Sequence, residues 1–172
     1  MTITNTNTPA NTPGTPPQAM SANEMEKLAA FAKEQATLVL GKVPMLGPIT
    51  WLMMQQSATR YTLLSELEWR VMPALVLNQA KIYMREDAPI AYVSWAKMSE
   101  QTAARYKNPP HQLMAADWKS GDQIWIIDLI TPFGGGQEVM KDLRENVFAG
   151  PTVQQLVPTV GGEAKALVWP AV

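Results

Sequence analysis

One carboxylate in this sequence occupies a setting that suits proton transfer. Asp128 lies within the nearly continuous apolar run Gln123–Ile130, which is the pattern of a strand buried on both faces. Burial beside Trp125 and Ile127 raises the pKa of a carboxyl group toward the range of a general base. An isolated buried charge is costly, so Asp128 must have a partner whether its role is chemical or structural.

Few other residue types could carry chemistry. The chain has no cysteine and a single histidine, His111, which excludes thiolate nucleophiles and Cys-ligated zinc and leaves no metal site to predict. His111 follows a Pro-Pro pair in a predicted loop, outside any catalytic pattern. Gly134, Gly135 and Gly136 precede a predicted helix, where free backbone N–H groups suit a phosphate. A flexible strand–helix connection is the alternative for this glycine run.

The N-terminal part divides into a tail and a helix. Residues 1–23 contain no charged residue and are rich in Thr, Asn and Pro, so they predict a disordered tail before a single domain at 24–172. Ser21 and Glu24 form a capping-box pattern at the start of a helix. Gly41 is expected to end that helix.

The rest of the chain alternates between helix and strand patterns. Two apolar runs separated by a Glu-Asp-Ala-Pro turn predict a β-hairpin. The predicted strands are Ala74–Arg85, Ile90–Ala96, Gln123–Ile130, Thr152–Val157 and Lys165–Trp169. The predicted helices after the first are Met53–Thr62, Met98–Tyr106 and Gln137–Val147. This order resembles the α/β fold of the N-acetyltransferases, a mixed central sheet flanked by helices in a single domain.

Composition and charge narrow the class of protein. The formal net charge is −1 over 172 residues, and without a basic stripe a nucleic-acid partner is not expected. The N-terminus lacks the pattern of a secretory signal, and the longest apolar runs are far shorter than a membrane span. We therefore expect a soluble, cytoplasmic protein.

Several segments, in order and at compatible spacing, match motifs of one enzyme family. Leu46–Leu52 resembles a Leu-Gly-x-Val-x-Trp-Leu opening, and Arg85–Ala96 resembles a hairpin motif that ends in Cys-Ser-Trp-Ala. Asp117–Asp122 resembles Asp-Trp-x-Ser-Gly-Asp, and Trp125–Gly134 resembles Trp-Phe-Ile-Asp followed by Ala-Pro-Phe-Gly. On these motifs the chain resembles the lysine acyltransferases that activate RTX toxins.

This resemblance implies a reaction between two protein substrates. Family members take a fatty acyl chain from the phosphopantetheine arm of acyl carrier protein and place it on the ε-amine of a protoxin lysine. The resemblance therefore implies an acyltransferase without a tightly bound cofactor, whose donor is acyl-phosphopantetheine. Its implied partners are acyl carrier protein and a repeat protoxin, together with a tendency to form homodimers. The phosphate of the donor would then meet Gly134, Gly135 and Gly136.

The resemblance also identifies candidate site residues. The family's functional pair is a histidine in a Ser-Pro-x-His-Arg motif and the aspartate of Trp-Phe-Ile-Asp. The aspartate matches Asp128, whereas the histidine motif aligns with Gln56–Arg60 and puts Thr59 at the histidine position. Arg60, the surviving residue of that motif, is expected to help bind the carrier-protein donor. A threonine hydroxyl cannot act as the base that a protonated lysine requires, so Asp128 is the remaining candidate for proton transfer.

Three functions remain open on the sequence. The first is a protein-lysine acyltransferase that depends on acyl carrier protein. The second is a catalytically inactive family member that acts as a binding or structural subunit, which the missing histidine and its missing Ser-Pro flank favour. The third is an N-acyltransferase that acts on a different amine with altered base chemistry.

Overall fold

The computed structural model describes residues 21–148, 150–159 and 164–170. Contacts group the chain into two units, Met1–Gln35 and Ala36–Val172. The predicted tail falls on residues 1–23, most of which lie outside the described residues, so its disorder stays a prediction. Ser21 to Asn23 are described, and they form the cap and the first residues of a helix.

The first helix, α1, spans Ala22–Lys42 and begins with the predicted capping box. The Glu24 carboxylate accepts hydrogen bonds from Ser21 N and Oγ at 2.8 and 2.7 Å, and Ser21 Oγ accepts one from Glu24 N at 3.3 Å. These hydrogen bonds lower the pKa of Glu24, and they satisfy N–H groups that a helix start leaves unpaired. All residues of α1 are at least partly exposed.

Gly41 does not end this helix, so the predicted helix stop is wrong. The backbone of Gly41 lacks the positive φ of a helix stop. The chain continues from α1 through a short 3₁₀ turn, Val43–Met45, into α2, Leu46–Gln55. Pro44 sits in the first positions of that turn, where its missing N–H costs no hydrogen bond.

By length and composition alone, the helical stretch Ala22–Gln55 is apolar enough to cross a membrane. The sequence expectation of no span considered single apolar runs and did not anticipate that α1 and α2 join. Only 17% of the window that meets these criteria is buried; Ile49, Leu52 and Met53 of α2 are buried in a core cluster with residues of the sheet.

A five-stranded sheet organises the unit that begins at Ala36. Its strands lie in sequence order, and all neighbours are antiparallel except the parallel pair β3–β4. The strands are β1 Ala80–Arg85, β2 Ala88–Met98, β3 Gln123–Ile130, β4 Val153–Pro158 and β5 Ala164–Trp169. This mixed open sheet flanked by helices confirms the predicted α/β, N-acetyltransferase-like class.

Helices cover both faces of the sheet. The remaining helices are α3 Leu67–Arg70, α4 Met72–Val76, α5 Glu100–Tyr106 and α6 Gly136–Asp142. Val139 and Met140 of α6 pack on one face, in a cluster with Trp95 and Ile126. The opposite face carries α2, α3 and α4 over Tyr92 and Ile130, and α5 over Ala96 and Trp125.

Several predicted boundaries are wrong for local reasons. The predicted strand Ala74–Arg85 is helical at its start because Pro73 favours the first positions of α4. Asn78 then turns the chain with φ 53°, so β1 begins only at Ala80. The helix predicted around Met53–Thr62 lies earlier, as α2. The last predicted helix is α6, continued by a π-helix at Leu143–Phe148.

Candidate active site

A β-bulge in β3 decides which way Asp128 points. Trp95 of β2 pairs with Ile126, but the next residue back, Ser94, pairs with Asp128, so Ile127 is an extra residue on β3. Strict alternation would place Asp128 on the same face as Ile126, among the apolar residues under α6. The bulge shifts it to the opposite face, beneath α2–α5.

The same bulge marks the point where the two parallel strands separate. β3 and β4 are paired only over Ile124–Ile126 and Val153–Gln155. From Ile127 onward β3 keeps its antiparallel partner β2, while β4 continues with β5. Asp128 therefore lies beyond the last residue pair of β3 and β4, where the facing edges of the two described strands are unpaired; this unpaired stretch is called the opening between β3 and β4.

The partner that a buried Asp128 requires is Arg70, at the end of α3. Arg70 Nε lies 2.9 and 3.0 Å from Asp128 Oδ1 and Oδ2, and Arg70 Nη2 lies 2.5 Å from Oδ1. The side chains differ in access, because Arg70 is 24% exposed and Asp128 only 2%. The guanidinium group thus covers the carboxylate and donates hydrogen bonds to both of its oxygens.

For each residue of the Arg70–Asp128 pair, burial and ion pairing shift the pKa in opposite directions. Burial raises the pKa of Asp128, and the hydrogen bonds and charge of Arg70 only partly oppose that effect. Burial alone would lower the pKa of Arg70, but the hydrogen bonds and charge of Asp128 raise it above its ordinary value. Arg70 is therefore a permanent cation at any working pH.

Two further hydroxyl groups lie near the carboxylate but are sealed from solvent. Ser94 Oγ and Tyr92 OH are buried next to each other. Burial raises the pKa of Tyr92, the charge of Asp128 adds to that rise, and the contact with Ser94 lowers the pKa in part. Burial and the charge of Asp128, in that order, also raise the pKa of Tyr106 on α5. Arg70 is the most exposed of these groups.

Thr59 is buried. Its hydroxyl donates to the backbone carbonyls of Met53 at 2.9 Å and Gln56 at 3.4 Å. The side chain of Gln56 accepts a hydrogen bond from Thr131 N at 2.9 Å, which ties this segment to the end of β3. Across residues 21–148, 150–159 and 164–170, no hydrogen bond joins Thr59 to Asp128, so the structure does not couple the two predicted catalytic residues directly.

Gly134 and Gly135 line one cavity and Arg60 lines another, whereas Gly136 is the first residue of α6. Gly134 and Gly135 adopt φ of 87° and 83° before α6, and both line a cavity of about 880 Å³ together with Arg85 and Phe133. Arg60 instead borders a smaller cavity of about 130 Å³ beside Thr59. The predicted donor-binding set is thus divided between two places.

One functional candidate, Arg70, was missed by sequence reasoning. The need for a partner to Asp128 was evident, but Arg70 is 58 positions away and belongs to no matched motif.

The described part of the chain contains no group of three or more His, Cys, Asp or Glu residues that could hold a metal ion.

A mixed five-stranded sheet with helices on both faces and a β-bulge beside a buried carboxylate places the chain in the N-acetyltransferase-like α/β class. Residues 39–169 match the RTX toxin acyltransferase family. The lysine-acyltransferase RtxC of Vibrio cholerae serotype O1 is 37% identical over 139 residues, which cover 80% of this chain and 90% of that relative. The chain belongs to the RTX toxin acyltransferase family.

Other relatives match over a shorter part of their length. The protein-lysine myristoyltransferase HlyC of Escherichia coli is 38% identical over 100 residues, which are 58% of this chain and 59% of HlyC. The RTX-II toxin-activating lysine-acyltransferase ApxIIC of Actinobacillus pleuropneumoniae is 39% identical over 100 residues, or 58% of this chain and 62% of that relative. The matched part therefore spans about three fifths of these two relatives.

Proposed function

We propose that this chain is a protein-lysine acyltransferase that moves a fatty acyl group from acyl carrier protein to the ε-amine of a protoxin lysine. The observation that carries this proposal is the bulge at Ile127, which sets the Arg70–Asp128 pair beside the opening between β3 and β4. Family membership and the names of the relatives support the lysine acceptor.

The opening between β3 and β4 supports a thioester donor on an extended arm. From Ile127 onward the edge of β3 toward β4 has no strand partner in the described ranges. Free N–H and C=O groups on such an edge bind an extended chain that carries amides, and phosphopantetheine is a chain of this kind. In the glycine loop that follows β3, the N–H of Gly134 already donates to the Thr131 carbonyl, so we assign the phosphate end of the arm to the N–H groups of Gly135 and Gly136.

Acyl transfer to a lysine requires three tasks of the protein. It must hold the thioester carbonyl, admit a neutral lysine amine, and stabilise the negative charge that develops on the carbonyl oxygen. A free lysine has a pKa of about 10.4, so only a small fraction of acceptor amine is neutral at ordinary pH. The cationic Arg70 beside the opening favours that neutral form and suits the developing anion.

A transfer assay tests this function. Purified chain is incubated with acyl carrier protein that carries a labelled acyl group and with a lysine-containing fragment of a repeat protoxin. We expect an amide-linked label on lysine, detected by mass spectrometry, and a large loss of transfer with Asp128→Asn. Binding of the acceptor without transfer would instead favour an inactive family member that acts as a binding subunit. If Asp128→Asn transfers acyl groups as fast as the parent, the Arg70–Asp128 pair takes no part in the reaction.

A further inference from the structure

In the Arg70–Asp128 pair, the arginine side chain is partly exposed and the aspartate side chain is buried. Asp128 is held on both oxygens by Arg70 and is 2% exposed, whereas the Arg70 side chain is 24% exposed. Ser94 and Tyr92, the hydroxyl-bearing neighbours on β2, are fully buried. A substrate that enters at this point therefore meets the guanidinium group before any other polar group of the cluster.

Arg70 also keeps a hydrogen-bonding end free. Its Nε and Nη2 donate to Asp128, while Nη1 makes no hydrogen bond or ion pair in the described part of the chain. Because the guanidinium group is planar, fixing two of its nitrogens on a buried carboxylate also fixes the direction of the third. Nη1 is therefore a preoriented donor that carries positive charge.

We propose that Arg70 is the catalytic residue that contacts the thioester, and that Asp128 is a positioning residue that acts through it. This assignment rests on the proposed acyl transfer and deepens it. It replaces the expectation that Asp128 accepts the lysine proton, because the carboxylate is only 2% exposed and lies behind the guanidinium group. Arginine itself cannot be a base, since it does not lose its proton in proteins.

The transfer step balances without a protein base. The acceptor ammonium first gives one proton to water, and the neutral nitrogen attacks the carbonyl carbon of the thioester. As the C–N bond forms, the carbonyl π electrons move to oxygen, where the Nη1–H of Arg70 donates to the oxyanion. The C–S bond then breaks, the electron pair leaves with sulfur, and the thiolate takes up the second proton that the nitrogen releases.

The test combines single and double variants with a pH profile. Loss of one oxyanion donor lowers kcat by roughly 10²–10³-fold, so Arg70→Met should fall in that range with little change in KM. Arg70→Lys keeps the charge without the planar fork and should fall between parent and Arg70→Met. The double variant Arg70→Met/Asp128→Asn should be no slower than Arg70→Met alone, because Asp128 acts only through Arg70.

A buried Asp128 acting as the base predicts the opposite pattern. Removing Asp128 from the Arg70→Met background would then lower kcat by a further ~10²–10⁴-fold. The kcat of the parent would also fall at low pH as the base becomes protonated, and this fall would be absent in Asp128→Asn. If Arg70→Met does not fold, the pH profiles of the parent and of Asp128→Asn decide, because Asp128→Asn removes the loss of rate at low pH only if Asp128 is the base. Arg105→Met is the matched control, because Arg105 pairs with Asp117 in another Arg–Asp ion pair.

The results of these assays distinguish a failure of the Arg70 assignment from a failure of the proposed function. Full activity of Arg70→Met, or a double variant far slower than Arg70→Met, overturns the role of Arg70 while lysine transfer by the parent still stands. A parent that transfers no acyl group overturns the proposed function and this assignment together.

Discussion

Replacing Arg70 with methionine should destabilise the fold strongly and in a pH-dependent manner. The change leaves Asp128 buried without its three hydrogen bonds to Arg70. Breaking one side of a buried ion pair costs about 3–5 kcal/mol, and partial exposure of Arg70 argues for the lower end. Domains of this size are stable by only about 5–15 kcal/mol, so a loss of about 3 kcal/mol is readily measured.

The direction of the pH dependence follows from the pKa of Asp128. That pKa is raised in the folded chain by burial, and Arg70 supplies the effects that lower it. Without Arg70 it rises further, so the folded state binds a proton more readily than the unfolded state. Stability is then highest below the unfolded pKa of about 3.9 and falls as pH rises toward the folded pKa. The deficit of Arg70→Met should therefore be larger near pH ~8 than near pH ~5.

Urea unfolding, followed by tryptophan fluorescence across this pH range, measures the effect. Arg105→Met is again the control, because the Arg105 side chain is 50% exposed and Asp117 keeps a hydrogen bond from Met114 N. A partner this exposed contributes about 0–1 kcal/mol. Adding Asp128→Asn to Arg70→Met should restore stability at high pH. Equal losses from the two Arg→Met changes, or a pH-independent loss at Arg70, would refute the reasoning.

Two further substitutions test other parts of the structure. Gly121→Ala should lower the free energy of unfolding by about 1–3 kcal/mol or more, because a Cβ there would lie 2.5 Å from the Ser99 Cα and backbone N. Gly41→Ala, in open space in α1, should instead stabilise by about 0.5–1 kcal/mol in urea unfolding. Thr59→Val removes the hydrogen bond to the Met53 carbonyl and should cost about 1–2 kcal/mol of stability without changing the transfer rate per folded molecule, whereas Thr59→Ser should keep both. A folded Thr59→Val that transfers no acyl group would show that the hydroxyl is catalytic.

The sequence was most informative where a local pattern decides the structure. β3 matches the prediction over Gln123–Ile130, because an unbroken apolar run between turn residues has few alternatives to a buried strand. The capping box of Ser21 and Glu24 is equally local, and all of its hydrogen bonds form. In both cases the interacting residues are close neighbours in the chain.

The geometry of the site depends on contacts between segments that are distant in the sequence, and no local sequence pattern indicates these contacts. Alternation along β3 would have put Asp128 under α6, and the extra residue Ile127 becomes evident only from the pairing with β2. Arg70 was equally hidden, because several arginines could have satisfied a buried carboxylate and only the placement of α3 selects one. The boundary errors at Gly41 and before Ala80 have the same origin, since neighbouring elements decide whether a glycine or an apolar run ends a helix.

The Arg70–Asp128 pair also bears on the order in which the chain assembles during synthesis. Arg70 leaves the ribosome 58 residues before Asp128, so its charge stays hydrated until β3 arrives and pairs with β2. Contacts between distant segments form after the intervening loop has closed, and here both charges must lose their water in the same event. We therefore expect α3 to dock only after β3 has joined β2, in the same step that completes the site.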